Sequence, residues 1–565
     1  MKKIILLLYI LGGTVHTLQS QVSTTVPPTQ YWVQFTDKKN SPYTTTNPLA
    51  YLGPRALQRR LNQSIPIVES DLPVNPAYVD SVVAKGAHIH LRSRWLNGVS
   101  VKVTSTAQLT AILSLPFVVG ITEVGAVVQA PNTGGNQKFK PMPSATVQNK
   151  TVSSSPGTQS LNYGASFAQI NLLNGVCMHN KGYQGQGMVI SILDAGFVSI
   201  DTLPVFDSLW AGHQILGGYN FVDEKDSIYY GHFHGTCVLS CMGGNMPGQL
   251  IGTAPKASFW LLRSEDAATE KLVEEYNWVA AAEFSDSVGA DVINTSLGYT
   301  VFDDSLENNT YASMNGHTTP CARAVNFASN KGIAVMCAAG NMGGTAWKYI
   351  GTPADADSAL AVGSVNTSGV YSSFSSQGPG SGGDIKPDVA SCGEGAVVAD
   401  WNTDGITYQN GTSFASPILC GLVACLWQAN PQMTNMEILH AVEKSASKFA
   451  QPDSFVGYGI PDFCAANSIL GIRENASLEN DYLSGLHPNP FTNSMDFVFW
   501  SKSAQTVSVN LIDMQGKLIR TESRMLNAES YNTWNLSDLA SIPAGIYMLS
   551  VKTDEAVLVR KVVKE

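Results

Sequence analysis

Three residues with complementary proton-transfer chemistry stand in separate motifs of the chain. Ser413 lies in GTSFASP, directly before a long apolar run that predicts a helix, so its hydroxyl would sit at the positive helix N-terminus. His234 lies in GHFHGT, and Asp194 follows the strand-like apolar run 188–193. A serine hydroxyl needs an adjacent base to act as a nucleophile, and a histidine oriented by a carboxylate supplies one. These residue types predict a serine hydrolase.

Each motif taken alone has a simpler interpretation. A serine before a helix is more often an N-cap than a nucleophile. His232 could form a metal pair with His234, but no cluster of cysteine, histidine and carboxylate with zinc spacing accompanies it, so a structural role is predicted. The catalytic interpretation gains weight from the three motifs occurring together in the order Asp194, His234, Ser413.

Five further motifs occur in a fixed order along the chain. They are GTAPKA at 252–257, VINTSLG at 292–298, AAGN at 338–341, KPDV at 386–389 and GYGIPD at 457–462. With these motifs and the order of its three polar residues, the region 163–467 resembles the subtilisin-like serine proteases. The resemblance implies an endopeptidase with the triad Asp194, His234 and Ser413. It also implies an oxyanion hole made by the Asn341 side chain and the backbone N–H of Ser413.

The resemblance also implies a place where substrate backbone would pair. Ser296, Leu297 and Gly298 would form an edge that hydrogen-bonds the substrate main chain, and Ala339 and Gly340 would line the same site. The alternative is that Ser296 and Gly298 are residues at a strand end with no role in substrate binding.

Two positions depart from the family pattern. Ala195 follows the aspartate where the family usually has serine or threonine, and Cys237 stands where a second histidine is common. Neither change removes a proton-transfer group. We therefore expect altered hydrogen bonding around the triad with activity retained.

Composition and the N-terminus indicate an exported protein. The 565 residues exceed one ordinary domain, and the formal net charge of -10 argues against nucleic acid and anionic membranes as partners. The start MKK followed by a short apolar run predicts a signal peptide over 1–20, cleaved near Ser20-Gln21. No later stretch is predicted to span a membrane. No cofactor and no metal ligands are predicted; the resemblance allows structural calcium, but no ligand loop is assignable.

Two segments precede the catalytic region. Residues 21–126 show the order strand, helix, strand, strand, helix, strand, which predicts an α+β ferredoxin-like unit. This unit resembles a subtilase propeptide, which assists folding and blocks the active site; an unrelated accessory domain is the alternative. The basic stretch from Arg55 to Arg60 lies outside the pattern and has no assigned function. Residues 127–160 are rich in Pro, Ser, Thr and Gly and predict a flexible linker that contains the maturation site.

The catalytic region and the C-terminal region have different strand patterns. Residues 161–472 alternate strands, such as 187–193, 291–295 and 332–338, with helical runs, which predicts an α/β fold with helices on both faces of a parallel sheet. Residues 480–565 predict a small β-sandwich that begins at PNP and ends in a basic strand. This part resembles the C-terminal sorting domain of type IX secretion substrates. A β-sandwich that binds substrate or the cell surface is the alternative.

Nine cysteines are scattered over the chain, and an odd number leaves at least one unpaired in a monomer. Most are predicted to be small buried hydrophobes. The sequence does not decide which of them pair.

The sequence as a whole predicts a secreted serine endopeptidase, made as a zymogen and exported through the periplasm to the cell surface or medium. Its partners would be protein or peptide substrates, its own propeptide as inhibitor, and the type IX secretion machinery. Two alternatives stay open: a catalytically silent surface adhesin on the same scaffold, and a peptide ligase or processing enzyme that uses the same triad. Fluorophosphonate labelling of Ser413 would distinguish the adhesin, and product analysis the ligase.

Overall fold

A computed structural model gives the fold of three structural units. It describes residues 30–125, 137–139, 161–470, 482–487, 489–527, 530–554 and 556–565. The predicted signal peptide and most of the predicted linker lie outside these residues.

The N-terminal unit is a four-stranded antiparallel sheet with helices on it. Its elements are β1 (Gln30–Phe35), α1 (Pro54–Asn62), α2 (Pro76–Val83), β2 (His88–Ser93), β3 (Gly98–Lys102), α3 (Thr106–Leu113) and β4 (Val118–Gly125). The strand order is β2-β3-β1-β4, and every pairing is antiparallel. This order is the ferredoxin-like arrangement, so the prediction for this part of the fold is confirmed.

Local signals explain where the helices of this unit begin. The Asn75 side chain accepts the Ala77 N–H at 3.0 Å before α2, and the Ser105 hydroxyl accepts the Gln108 N–H before α3. Val33, Val99 and Ile112 are fully buried where the helices cover the sheet. The sequence pattern did not identify α1, which contains the basic stretch from Arg55 to Arg60.

The central unit is built on a seven-stranded parallel sheet. Its principal elements are α4 (Phe167–Asn171), α5 (Gly175–Asn180), β5 (Val189–Asp194), α6 (Asp207–Ala211), β6 (Ile215–Asn220), α7 (His234–Gly243), β7 (Asn245–Met246), β8 (Leu250–Ile251), β9 (Ser258–Arg263), α8 (Val273–Val288), β10 (Val292–Thr295), α9 (Pro320–Asn330), β11 (Ala334–Ala338), β12 (Ala359–Asn366), β13 (Val389–Glu394), β14 (Ala396–Ala399), β15 (Ile406–Gln409), α10 (Thr412–Ala429) and α11 (Asn435–Lys444). The sheet order is β13-β12-β11-β10-β5-β9-β6, and its neighbours pair in parallel.

Helices cover both faces of this sheet, as predicted. Successive residues of β11 point to opposite faces: Met336 packs with α7 and α10, and Val335 packs with α8 and α9. Strands buried on both faces lack polar alternation, which explains the continuous apolar runs of the sequence. The N-terminal unit adds Trp32 and Trp95 to the cluster around α8 and α9.

Helix α10 is long and apolar enough to cross a membrane by length and composition alone. In the structure, however, 89% of it is buried. It is the central core helix of this unit, and its apolar character follows from contact with the sheet on one side and α7 and α11 on others.

The C-terminal unit consists of two facing sheets. Its strands are β16 (Tyr482–His487), β17 (Met495–Ser501), β18 (Gln505–Asp513), β19 (Leu518–Leu526), β20 (Ser530–Leu536), β21 (Gly545–Lys552) and β22 (Val557–Lys564). One sheet has the order β16-β17-β20 and the other β19-β18-β21-β22. Phe497 and Trp534 from the first sheet pack against Val509 and Leu549 from the second in one apolar cluster. The predicted small β-sandwich is present.

The cysteines divide into one disulfide and seven buried thiols. Cys177 in α5 and Cys464 form a disulfide that links the start and the end of the central unit. The free thiols are those of Cys237, Cys241, Cys321, Cys337, Cys392, Cys420 and Cys425. Most cysteines are thus small buried residues, as predicted.

Candidate active site

Three secondary-structure boundaries bring Asp194, His234 and Ser413 to one edge of the central sheet. Asp194 is the last residue of β5, His234 is the first residue of α7, and Ser413 is the second residue of α10. Open α/β sheets place their sites at the carboxyl ends of the strands, and Asp194 marks such an end, that of β5.

The aspartate and the histidine are hydrogen-bonded and buried. His234 Nδ1 lies 2.8 Å from Asp194 Oδ1 and 3.0 Å from Oδ2. A carboxylate only accepts hydrogen bonds, so Nδ1 carries the proton and Nε2 is left to accept one. Asp194 is fully buried, and the Ala195 N–H donates to its Oδ1 at 2.7 Å. The backbone thus donates to the carboxylate that, in this chain, has no neighbouring hydroxyl at residue 195.

The Ser413 hydroxyl lies at the start of α10 and is turned away from the histidine. Its Oγ donates to the carbonyl oxygen of Ser296 at 3.2 Å, and no hydrogen bond joins it to His234. The ring of the adjacent Phe414 lies 5.8 Å from the His234 ring, so α10 begins next to the imidazole.

A proline inside α10 frees a carbonyl group next to the serine. Pro417 has no N–H, so the Ser413 carbonyl oxygen has no partner four residues on. The Ser296 hydroxyl donates to that oxygen instead at 2.8 Å. Asn294 supports the arrangement, because its Nδ2 donates to Ser296 Oγ at 3.1 Å and its Oδ1 accepts from the Ser416 hydroxyl at 2.9 Å. The serine is therefore tied to the end of β10 by side chains as well as by packing.

The Asn341 side chain has a fixed orientation. Its Oδ1 accepts the Thr412 N–H at 2.9 Å and the Thr412 hydroxyl at 3.0 Å. A backbone N–H can only donate, so the amide oxygen faces Thr412 and the Nδ2 donor is turned away from it. Ser413 is the second residue of α10, so no carbonyl of the helix lies four residues before its N–H. The site therefore combines a side-chain donor with helix N-terminal donors.

The predicted substrate-contacting residues adjoin this group. Gly340 has φ +102° and its N–H donates to Thr412 Oγ1 at 3.1 Å, so glycine suits this position. Ala339 donates from its N–H to the carbonyl of Val362 in the neighbouring strand. Leu297 is buried in the core cluster around α8, so it offers backbone atoms only to the cleft; Gly298 follows it.

His232 and Cys237 have the structural environments that the sequence suggested. His232 Nδ1 accepts the His234 N–H at 3.2 Å, and the His232 ring stacks on Phe233. Burial, and next the neighbouring His234, lower the pKa of His232 to about 4, so it is a neutral acceptor. Cys237 is buried one turn into α7, and burial and Asp194 raise the pKa of its thiol. It is therefore no competing nucleophile.

Three residues of the predicted linker lie against the candidate site. Residues 137–139 form a short 3₁₀ turn, and the Phe139 ring lies 5.2 Å from the His234 ring and 5.0 Å from the His232 ring. The Lys138 side chain is buried among acidic residues. A segment beyond the N-terminal unit thus covers the histidine in this structure.

The N-terminal unit is anchored to α8 by buried charges. Asp286 of α8 pairs with Arg59 and Arg60 of α1 and with Arg94, which lies just after β2. Burial opposes the charge of Asp286, but the three guanidinium groups outweigh it and lower the pKa of this carboxyl. The Arg55 to Arg60 stretch, which had no assigned function, is therefore a docking helix. Two features of the sequence could have identified this helix: Pro54 at its first position and the clustered arginines.

Models of three known families match the chain. The Bacteroidota propeptide domain of peptidase S8 matches residues 30–139, the subtilase family matches 185–459, and the secretion system C-terminal sorting domain matches 485–565. Subtilisin E of Bacillus subtilis (strain 168) is 30% identical over 295 residues, which are 51% of this chain and 67% of that protein. The chain belongs to the subtilase family. Thermitase of Thermoactinomyces vulgaris is also 30% identical, over 282 residues, 49% of this chain and 87% of thermitase.

Two solved structures are similar to part of the chain. The MycP3 protease from the type VII (ESX-3) secretion system aligns with a TM-score of 0.43 at 22% identity, covering 55% of this chain and 90% of its own. MycP1 from Mycobacterium smegmatis aligns with a TM-score of 0.42 at 22% identity, covering 55% and 86%.

The family matches confirm the predicted activity and location of this subtilase. It is a secreted serine peptidase of the subtilisin type, made as a zymogen with a propeptide domain. Its type IX sorting domain directs it to the cell surface or the medium.

Several residues of the site were missed at the level of sequence. Asn294, Ser416 and Pro417 each support the serine, and Thr412 orients Asn341. Pro417 carried a readable signal, because a proline in a helix frees the carbonyl four residues earlier. The contact of the 137–139 segment with the site had no sequence signal.

Proposed function

We propose that this subtilase hydrolyses peptide bonds with Ser413 as nucleophile, His234 as general base and Asp194 as the group that orients the imidazole. The observation that carries the proposal is the bond from His234 Nδ1 to the buried Asp194, which leaves Nε2 as an acceptor beside the Ser413 helix end. When substrate enters, Ser413 Oγ turns from the Ser296 carbonyl to His234 Nε2 and attacks the scissile carbonyl carbon as its proton passes to the imidazole.

The tetrahedral intermediate carries a negative oxygen that needs donors. We propose that Asn341 Nδ2 and the Ser413 N–H supply them, since the Asn341 oxygen is held by Thr412 and Ser413 lies at the N-terminus of α10, where N–H groups lack a carbonyl four residues earlier in the helix. His234 then returns its proton to the leaving amine, and water releases the acyl group by the same route in reverse. Apart from substrate and water, every group that takes part in these steps is a residue of the chain, so the proposed reaction uses no cofactor.

Substrate backbone is proposed to pair along Ser296, Leu297 and Gly298, with Ala339 and Gly340 on the other side of the cleft. Leu297 would contribute only its main chain, because its side chain is buried in the core. Calcium, which the family allows, would have a structural role outside this mechanism.

We propose that the N-terminal unit inhibits the enzyme until maturation. Residues 137–139 cover His234 through Phe139, and the arginines of α1 hold the unit on Asp286 of α8. The mature enzyme is expected to begin between about residues 125 and 165, because the predicted linker there is accessible to proteolysis, and a cut after residue 139 would also free the segment that covers His234.

The test of the triad is a pair of variants. Ser413→Ala and His234→Ala should each abolish peptide hydrolysis; in the related subtilisin the loss is about 2 × 10⁶ in kcat. Fluorophosphonate should label the wild-type enzyme and not Ser413→Ala. A Ser413→Ala enzyme with near-full activity would contradict the assignment, and wild-type protein that is neither labelled nor active would favour the adhesin alternative.

Accumulation of uncleaved precursor in Ser413→Ala would show that maturation is autocatalytic. Fully active enzyme that retains residues 30–125 covalently would remove the inhibitory role. Product analysis with an added amine nucleophile separates hydrolysis from ligation, and we expect hydrolysis products only.

A further inference from the structure

Three acidic residues form a cluster, here called the acidic pocket, beside the candidate active site. Glu265 lies two residues after β9, Glu270 lies in the following loop and Glu274 lies in the first turn of α8. Their carboxylate oxygens lie within 4.8 Å of one another, and all three residues are buried. Three carboxylates are rarely buried together without a cation.

The pocket already holds an ammonium group from this chain. Lys138 Nζ lies 2.8 Å from Glu265 Oε2 and 2.7 Å from Glu270 Oε1. The same nitrogen lies 4.0 Å from the centroid of the Tyr299 ring. The Tyr299 hydroxyl donates to Glu265 Oε1, which holds that carboxylate in place for the ion pair.

The pocket is close to the catalytic histidine, because the residue next to Lys138 contacts His234. Phe139, the neighbour of Lys138, has its ring 5.2 Å from the His234 ring. Tyr299 directly follows Gly298 of the proposed substrate edge. A peptide that followed the path of residues 137–139 past His234 would therefore present a side chain to the pocket.

The charge state of the pocket favours a cation. Burial would lower the pKa of Lys138, but Glu265 and Glu270 outweigh it and raise that pKa, so the ammonium stays charged. Burial, and next Glu265 and Glu270, raise the pKa of Glu274 well above its usual range, which favours the neutral form of this third carboxyl. When maturation removes residue 138, two buried carboxylates lose their counter-charge, which is unfavourable until another cation enters.

We propose that Glu265, Glu270 and the ring of Tyr299 form a substrate subsite for a lysine or arginine side chain, which Lys138 occupies in the precursor. The inference deepens the proposed function and rests on it, because a substrate subsite requires that the cleft be that of an active peptidase.

The shape of the pocket argues against a metal ion as its occupant. Calcium takes six to eight oxygen ligands. Here the Tyr299 ring forms one wall and offers its face, which supplies no oxygen ligand and attracts ammonium and guanidinium groups. The Tyr299 hydroxyl is itself engaged with Glu265. An organic cation fits these groups better than a metal ion.

The experiment uses mature wild-type enzyme and fluorogenic peptides that differ at one position, carrying lysine, arginine, norleucine or glutamate. Norleucine is the control because it keeps most of the lysine chain and lacks its charge. At one position we expect lysine and arginine to exceed norleucine by about 10- to 100-fold in kcat/KM, the range for hydrogen bonds to charged groups. In Glu270→Gln and in Glu265→Gln this ratio should fall towards 1.

Glu443→Gln is the matched control, since it removes one carboxylate from α11, where Glu443 pairs with the exposed His440. It should keep the wild-type ratio. Fluorophosphonate titration counts the active sites of each preparation. If Glu265→Gln fails to fold because its amide cannot reproduce every contact of the buried carboxylate, Glu270→Gln still decides the outcome.

Three results would overturn the subsite. The first is that no peptide position favours a basic residue, and the second is that both glutamine variants keep the wild-type ratio. The third is that EDTA abolishes the ratio and added Ca²⁺ restores it, which would make the pocket a metal site. Absence of both labelling and hydrolysis in wild-type enzyme would instead refute the proposed function, and the subsite with it.

Discussion

At the scale of single residues, two side chains of the site are oriented by partners that can only donate or only accept a hydrogen bond. The Thr412 N–H turns the Asn341 oxygen towards itself, and the Asp194 carboxylate fixes the proton of His234 on Nδ1. In both cases the functional atom is the one left over, Asn341 Nδ2 or His234 Nε2. The chemistry of Asn341 and His234 is therefore set by partners that lie 71 and 40 residues away in the sequence.

Asn341→Ala should lower kcat with little change in KM, because its donor serves the oxyanion more than the bound substrate. In the related subtilisin, loss of one such donor costs about 10²–10³ in kcat. Asn341→Asp is the control, since it keeps the shape and the oxygen that faces Thr412 but offers no Nδ2 donor, and it should be no better than alanine. Initial-rate kinetics at matched active-site concentration measure both; a change in KM alone would contradict the oxyanion role.

The sequence was sufficient to nominate Asp194, His234, Ser413 and Asn341, because each lies within a short motif whose residue types already specify chemistry. It could not place Lys138 against Glu265, since the two are 127 residues apart and neither belongs to a motif. Their contact depends on how the N-terminal unit docks, which no local pattern encodes. The role of Asn294 could not be predicted from the sequence either, because it comes from a hydrogen bond to a residue of another element.

Among secondary-structure elements, the contact of α1 with α8 carries the densest buried charge between the N-terminal and central units. Asp286 is fully buried and faces Arg59, Arg60 and Arg94. Such a group stabilises the docked form only while every partner is present, because any unpaired member would be a buried charge.

Asp286→Ala should destabilise the precursor by about 3–5 kcal/mol, because it leaves the buried guanidinium groups of Arg59 and Arg94 without their carboxylate. Chemical unfolding of full-length protein with Ser413→Ala as background measures this without self-cleavage. Arg55→Ala is the matched control, since Arg55 pairs with Asp291 with its side chain 43% exposed. That variant should cost less than about 1 kcal/mol. Equal losses in the two variants would show that Asp286 is no special anchor.

A second contact between these units is sensitive to acid. Glu224, in the loop between β6 and α7, pairs with His88, His90 and Lys102. Partial burial opposes its charge, but the hydrogen bonds from His90 and Lys102 outweigh burial and lower the pKa of Glu224 from 4.5 to about 2.

A lowered carboxyl pKa stabilises the docked form fully above pH 4.5 and progressively less as the pH falls towards 2. The stability of the Ser413→Ala precursor should therefore fall across this window. Glu224→Gln should remove this part of the pH dependence, which a comparison of unfolding curves at several pH values measures. Parallel pH profiles for the two proteins would contradict the role of Glu224.

The sequence pattern predicted the strands more readily than it predicted which strands lie next to one another. Continuous apolar runs predicted strands buried on both faces, and β5, β10 and β11 lie there. The sheet order puts β10 between β5 and β11, although β6 and β9 lie between β5 and β10 in the sequence. Periodicity cannot supply that order, because it records which side of an element is buried and not which element covers it.

In the whole molecule, the C-terminal unit has a core of its own. Its apolar cluster, which includes Phe497 and Leu549, shares no residue with the four apolar clusters of the central unit. The central unit is closed upstream of it by the disulfide between Cys177 and Cys464. Separate cores indicate units that fold separately, so the two can be parted between 470 and 482.

Deletion of residues 480–565 should leave the peptidase folded and active while changing its location. The sorting domain matches residues 485–565, so without them the enzyme should remain in the periplasm of its native host after the signal peptide has carried it across the inner membrane. Active-site labelling of medium, surface and periplasmic fractions from full-length and truncated strains measures both properties at once. A truncated strain that carries Ser413→Ala is the control for labelling specificity. Export of the truncated enzyme at the full-length level would show that the last unit has another task, whereas loss of labelling in every fraction would show that the central unit needs it to fold.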